Sequence, residues 1–380
     1  MVENEKKIFI LTGEPSGDYY GAELTKTLFE LNPELIVEGA GGVQMKDAGA
    51  KIICETSHLG VIGILNAVLK IIPILYALNF IIKHLEKNPP DVLITVDFGA
   101  FNMYVLRKLQ RKIPTLYYIP PGCWARNRKA GELPFLVSAI ATPFSWSADN
   151  LKSAGAEIDI EWVGHPLLDS MKPEISKEEI KQKLGLKKDE EVLAIVPGSR
   201  SQELKYMLPM FLRAVEIMEK KPKLIISLAK NIDKKQILSM IPRNLEVIHY
   251  ADGLDKNYLQ AATAAFVTSG TATLEMALLN IPMVVSYCGS NVAGLQYQFW
   301  KNKKGFEWIS LPNIILQRGI IPEYVQYNAN SKALYAEMMN LLTNDGKRQE
   351  QLLAFKELHS CLGSPGSILR AAKMALKILK

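Results

Sequence analysis

The chain is poor in the residues that staple or metallate small proteins. Its 380 residues include four cysteines, Cys54, Cys123, Cys288 and Cys361, widely scattered and without a Cys-x-x-Cys pair. That argues against a zinc ribbon or a disulfide framework and for a reducing compartment. There is no Asp-x-Asp metal motif, no Walker lysine signature and no Gly-x-Ser-x-Gly elbow. No metal or cofactor is therefore expected, and P-loop or serine-hydrolase chemistry is not suggested. Charge of one sign is scarcely in excess, since Lys+Arg 45 against Asp+Glu 39 leaves +6. An excess this small and dispersed does not suggest a nucleic-acid partner, but it suits an anionic substrate or an anionic membrane surface. The opening residues run from a charged tip straight into an apolar strand, without the long apolar region and cleavage site of a secretory signal. A cytoplasmic protein is expected. Internal repeats and low-complexity stretches are absent.

What the chain does have is apolar mass, 48% of its residues, enough for two ordinary domains. The N-terminal half alternates short apolar runs with helical stretches. Strands are expected at Ile8–Thr12, Ile36–Ala40, Val92–Val96, Thr115–Ile119 and Ala139–Ala141. Helices are expected at Tyr19–Leu31, Leu65–Glu86, Asn102–Arg111 and Ala148–Ala154. The pattern restarts after "EWVGHPLLD", with a capping box at Ser176 and Glu179. Two α/β halves in succession predict two Rossmann-like domains facing across a cleft, residues 1–168 and 169–360. A last helix within 361–380 could pack on either.

The segment from Leu59 to Ile82, "LGVIGILNAVLKIIPILYALNFII", has one charge, Lys70. It is as long as a membrane span. Pro73, Asn66, Asn79 and the early glycines argue against one. A buried crossover helix and an interfacial docking helix both remain open.

Three loops carry chemistry. In "VTSGTATLEMALL", a strand gives way to Ser269, Gly270 and Thr271, whose hydroxyls and free N–H groups at a helix start suit a diphosphate. Glu275 lies on the first turns of that helix, in reach of ribose hydroxyls or simply as a favourable N-terminal acid. In "VPGSRSQEL", Pro197, Gly198 and Ser199 form the turn and Arg200 stands at a helix entrance, where it can grip phosphate oxygens in two-pronged fashion. In "VLITVDFGAFN", Asp97 ends a buried strand, so it needs a hydrogen-bond partner or a raised pKa. Either suits a general base, although helix capping explains it equally well. His165 reads as a hinge-packing residue or a ligand. The first loop, "LTGEPSGDYYGAEL", has the layout of a phosphate cradle but carries two acids, Glu14 and Asp18.

Together, "GEPSGDYYGAEL", "GAGGVQMKDAGAK", "VGHPLLD", "VPGSRSQELKYMLPMFLRA", "TSGTATLEMALLNIPMVVSY" and "SLPNIILQRGIIPEYVQ" resemble the lipid-A-disaccharide synthase family. The matches are colinear to about Gln326. The resemblance implies a GT-B fold and an inverting, metal-independent glycosyltransferase. Its substrates would be UDP-2,3-diacylglucosamine and 2,3-diacylglucosamine 1-phosphate, and UDP would be released at the inner face of the cytoplasmic membrane, where the protein would sit peripherally. Asp97 falls on the family's essential aspartate, the proposed base. Arg200 falls in its Pro-Gly-Ser-Arg motif. Ser269, Gly270, Thr271, Thr273 and Glu275 fall on the nucleotide loop, with Asn313 and Gln326 nearby. Glu14, Ser16, Gly17 and Asp18 match Gly-Glu-x-Ser-Gly-Asp, where acids would meet sugar hydroxyls instead of phosphate, and Glu14 competes with Asp97 as the base. Trp124 survives from a two-tryptophan acceptor motif.

The chain departs from the family pattern at Ala100, where a second acid is usual, in "IPPGCWARNR", at Ser145 and at Cys288. The nucleotide side is kept and the acceptor side has drifted. A GT-B enzyme with another lipid acceptor, a UDP-N-acetylglucosamine 2-epimerase-like enzyme and a silent binder are the rival readings.

Overall fold

The computed structural model describes residues 5–57, 59, 64–187, 190–228, 234–253, 255–289 and 307–379, with the side chains of 64–70 and 236 excepted. These residues form two compact units, Met1–Asp169 with Cys361–Lys380, and Ser170–Ser360. Each is built on one parallel sheet.

The first unit has seven strands: β1 (Lys7–Leu11), β2 (Ile36–Gly41), β3 (Lys51–Glu55), β4 (Val92–Val96), β5 (Thr115–Tyr118), β6 (Ala139–Thr142) and β7 (Asp159–Trp162), in the order β3-β2-β1-β4-β5-β6-β7. The second unit has six: β8 (Val192–Val196), β9 (Lys223–Leu228), β10 (Val247–Asp252), β11 (Ala264–Thr268), β12 (Met283–Tyr287) and β13 (Glu323–Val325), in the order β10-β9-β8-β11-β12-β13. The central strands "VLITV", "VLAIV" and "AAFVT" are buried along their whole length. Continuous β-branched and aliphatic runs of this kind are what a sheet covered on both faces requires.

The strand order reverses beside β1 in the first sheet and beside β8 in the second. Strands β1 and β4 pair directly, as do β8 and β11. Ligands of open α/β sheets bind outside the carboxyl ends of strands at such a reversal. Asp97 follows β4, and the 197–200 and 269–271 loops follow β8 and β11.

The apolar segment is a crossover helix, Ile64–Lys87, joining β3 to β4; residues 60–63 lie outside the described ones. Its Ala77, Leu78, Ile81 and Leu85 enter the core. The opposite face presents Ile71, Ile72, Leu75, Tyr76 and Phe80 to solvent, with Ile72 76% and Tyr76 72% exposed. No described helix is long and apolar enough to cross a membrane.

Glu38 of β2 ties this layer together. It pairs with Lys7 at 2.6 Å, Lys51 at 3.0 Å and His84 of the crossover helix at 3.4 Å. Burial alone would raise its pKa, but those three partners outweigh it and hold the carboxyl at about 2.

The last helix, Ser367–Leu379, returns to the first unit and packs on the helix Pro15–Leu31 and on β4, β5 and β6. Ser367 Oγ donates to Gly164 O at 2.6 Å and lies 2.9 Å from Tyr118 Oη. Arg370 donates from Nε and Nη2 to Val163 O at 2.9 and 2.7 Å. His165 belongs to this junction. Its N–H donates to Leu362 O at 2.8 Å, its Nδ1 accepts from Leu167 N at 3.2 Å, and burial pushes its pKa down to about 3. It is a neutral packing residue.

Candidate active site

Asp97 leaves β4 in a left-handed conformation, φ 49°, and Phe98 follows at φ 47°. Two consecutive side-chain-bearing residues in this region are rare and cost about 1–3 kcal/mol each. Three contacts hold the turn. Tyr117 Oη and Asn102 Nδ2 each donate to the Asp97 carbonyl at 2.7 Å. Phe98 stacks on Phe101 at 4.8 Å between centroids. Phe98 also lies across Gly13, where an added Cβ would sit 1.9 Å from its ring. The glycine that opens "GEPSGD" is thus required by a ring from the next strand.

Burial, and then the charge of Glu14, raise the Asp97 carboxyl to about 6. Glu14 is the N-cap of the helix Pro15–Leu31 and makes no capping bond with its side chain. It stands beside Asp97 because β1 and β4 are neighbours. Ser16 and Gly17 lie on the first turn of the same helix. Ser16 is half-buried, and Gly17 and Asp18 are buried. The Asp18 carboxylate accepts from Gly42 N at 2.6 Å, Gln44 N at 3.1 Å and Met45 N at 3.3 Å. The expectation that Asp18 meets a sugar gives way to a fastening role: it caps the short helix Val43–Asp47 and ties the helix Pro15–Leu31 to the chain that follows β2. Trp124 lies half-buried in the loop after β5.

In the second unit the loops after β8 and β11 emerge side by side. Glu203, buried and unforeseen from the sequence, shapes the first. Its Oε2 accepts from Ser199 N at 3.0 Å and Arg200 N at 3.2 Å, and its Oε1 pairs with Arg200 Nη1 at 2.8 Å. The turn at Gly198 lies directly against it, and the signal was an acid three residues into the helix Ser201–Glu216, the capping-box position.

Ser269 Oγ donates to Ile309 O at 2.8 Å, and Thr273 Oγ1 donates to Gly270 O at 2.8 Å. Gly270 is the N-cap of the helix Thr271–Leu278. The Glu275 side chain has no hydrogen bond or ion pair among the described residues, and desolvation raises it to about 7.

Asn313 is completely buried and its amide is fully used. Nδ2 donates to Ile321 O and to Glu323 Oε1, both at 2.8 Å, and Oδ1 accepts from Ile320 N at 3.0 Å and Ile321 N at 2.9 Å. An amide has no further capacity once these are made. Direct contact with a nucleotide therefore gives way to positioning. Asn313, in the helix Leu311–Leu316, and Glu323, another residue the sequence did not disclose, hold residues 309 and 310 back beside Ser269. Gln326 Oε1 accepts from Gly289 N at 3.3 Å.

A family model described as lipid-A-disaccharide synthetase matches residues 8–377. The chain belongs to that family. It is 32% identical to a lipid-A-disaccharide synthase of Syntrophus aciditrophicus, covering 99% of each chain, and 33% identical to one of Gloeothece citriformis, covering 97% of this chain and 99% of the relative. Among solved structures it is similar to the UDP-GlcNAc 2-epimerase of Neisseria meningitidis (TM-score 0.61, 13% identity, 98% and 99% coverage) and to Acinetobacter baumannii MurG (TM-score 0.57, 14% identity, 98% and 99% coverage). Those two likenesses give the fold, GT-B. Family and fold together make this lipid-A-disaccharide synthetase family member a glycosyltransferase of lipid A synthesis.

Proposed function

We propose that the protein joins UDP-2,3-diacylglucosamine to 2,3-diacylglucosamine 1-phosphate by inverting, metal-independent transfer. The observation that carries this reading is Asp97: a carboxyl fixed on a strained, triply held turn, with its pKa raised to about 6. A base near the operating pH combines a useful ionised fraction with proton affinity. Asp97 takes the proton of the acceptor 6-hydroxyl as that oxygen bonds to the donor anomeric carbon. The bond from that carbon to the diphosphate breaks, and UDP departs. Arg200 and the amides of Gly270 and Thr271 offset the charge that grows on the leaving group, without a metal, the Ser269 amide being already given to Ser286 O at 3.1 Å. Glu275 accepts from ribose hydroxyls. Glu14, Ser16 and Gly17 face the sugars, and Trp124 borders the acceptor.

Both substrates carry acyl chains, and the exposed apolar face of the crossover helix gives the protein a means of resting on the membrane that holds them. We place it on the inner face of the cytoplasmic membrane.

Purified protein given UDP-2,3-diacylglucosamine should release UDP only when 2,3-diacylglucosamine 1-phosphate is added, with the disaccharide 1-phosphate seen by mass spectrometry. Equal release without acceptor, or a C2-epimerised sugar nucleotide, would overturn this reading. The departures at Ala100 and in "IPPGCWARNR" favour one second reading, transfer to a different lipid acceptor. A product formed only from a mixed lipid extract would select it.

A further inference from the structure

The first unit contains a cavity of about 230 Å³ beside the carboxyl end of β5. That is below the roughly 300–1,000 Å³ of a site for a drug-sized ligand, so it suits a small polar head rather than an acyl chain. Its wall carries three cations, Arg107, Arg128 and Lys129, and one acid, Glu132. Arg107 Nε donates to Glu132 at 2.7 Å, so that acid is neutralised. Arg128 and Lys129 make no hydrogen bond or ion pair among the described residues. Two positive charges are left over in the wall of one small cavity.

The loop is shaped to put one of them there. Gly122 has φ +68°, and an added Cβ would lie 1.7 Å from Arg128 Nη1. The positive φ favours glycine here, and the guanidinium lies close against it. The same loop adjoins Asp97. Pro121 packs on Gly99, two residues beyond Asp97, so closely that a Cβ on Gly99 would lie 2.4 Å from Pro121 Cβ.

We propose that this cavity holds the phosphate monoester of the acceptor sugar, gripped by Arg128 and Lys129. The assignment rests on the transfer reading above and adds the acceptor's anchor to it. A guanidinium presents paired donors to phosphate oxygens, and a neighbouring ammonium adds a second charge for a dianion. A hexose 1-phosphate carries its anion on C1 and its 6-hydroxyl on the carbon attached to C5, the two ring carbons that flank the ring oxygen. Anchoring the phosphate in the Gly122 loop leaves the hydroxyl free to reach the Asp97 turn that borders it.

The test combines Arg128→Ala with Lys129→Ala, both exposed positions, and compares 2,3-diacylglucosamine 1-phosphate with the same lipid lacking phosphate. The double variant should raise the KM for the phosphorylated acceptor at least about tenfold, the scale of lost charge-assisted hydrogen bonds, with kcat within a few-fold. Wild type should lose a similar factor when the phosphate is removed, and the double variant should no longer distinguish the two acceptors. An unchanged KM overturns the assignment, as does an equal loss against both acceptors. Glucosamine 1-phosphate binding, followed by phosphorus NMR, reads the pocket without turnover. If wild type transfers to neither acceptor, the transfer reading falls and this arm alone decides. Binding weakened about tenfold in the variant supports an anion pocket, and unchanged binding removes it. Loss of sedimentation with anionic vesicles at unchanged acceptor KM would assign the cations to lipid headgroups and refute the proposal.

Discussion

Tyr117 donates its phenolic hydrogen to the main-chain carbonyl of Asp97, 2.7 Å away, and not to the carboxylate. The carboxylate takes no part in that bond, and the backbone is held in place.

Removing that hold should expose its role. Tyr117→Phe keeps the ring and loses the hydrogen bond, worth about 0.5–1.5 kcal/mol. A several-fold fall in kcat with UDP affinity unchanged is expected, measured by steady-state kinetics beside calorimetric UDP titration. An unaffected kcat would show that Asn102 suffices alone.

Asp97→Asn should lower kcat by ~10²-fold or more at unchanged UDP affinity, because loss of a general base acts on the chemical step. In the wild type the base must be ionised. The rate should therefore fall about tenfold per pH unit below pH 6 and level off above it, following the Asp97 carboxyl at about 6. Glu14→Gln removes a negative charge that helps raise that pKa, so its acid limb should move to lower pH. A dead Glu14→Gln beside an active Asp97→Asn would reverse the assignment.

Arg200→Ala should weaken UDP binding by about 1.5–3 kcal/mol, at least tenfold, in calorimetry. Glu275 adds a pH dependence of opposite origin. Its carboxyl, raised to about 7 by desolvation, accepts well only when ionised. UDP affinity should rise between pH 6 and 8, and Glu275→Gln should flatten that rise.

The two faces of the crossover helix predict different outcomes for the same chemical change. Ile72→Glu with Tyr76→Glu should abolish sedimentation with anionic vesicles and change stability by no more than about 0.5 kcal/mol. Ile81→Glu, nine residues from Ile72 and fully buried, should leave the protein unfolded, because it buries an unpaired charge. Retained sedimentation of the first variant would remove this face from the membrane.

Glu38→Gln should destabilise the protein by about 1–3 kcal/mol at pH 7. The folded pKa of about 2 lies below the ordinary value of 4.5. The difference from wild type should be fully present above pH 4.5 and vanish as pH falls towards 2, in urea unfolding.

The sequence showed the central strands, because runs such as "VLITV" and "AAFVT" have one physical use. It concealed β3, β7 and β13, edge or short strands whose residues are only partly buried. The places of Asp97 and Arg200 just beyond buried strands were legible because the runs before them are continuous and apolar. Glu203 and Glu323 were missed because many of their partners are main-chain N–H groups, which leave no mark in composition; only the capping-box spacing marked Glu203. The same blindness explains Asp18 and Asn313, whose match to family positions suggested ligands and whose hydrogen bonds are made within the chain. The helix Ser367–Leu379 could not be assigned to a unit from its pattern, since an apolar stripe fits either sheet.

That helix also sets an order of events on the ribosome. Domains ordinarily finish folding in the order they are synthesised. Here the unit that begins at the N-terminus lacks part of its core until the last residues emerge, whereas Ser170–Ser360 is continuous and can close first. The uncovered face of β4, β5 and β6, and with it the support behind the Asp97 turn, must wait through translation of the whole second unit. A nascent chain halted between Ser360 and its final helix has a complete second unit beside an unfinished first one.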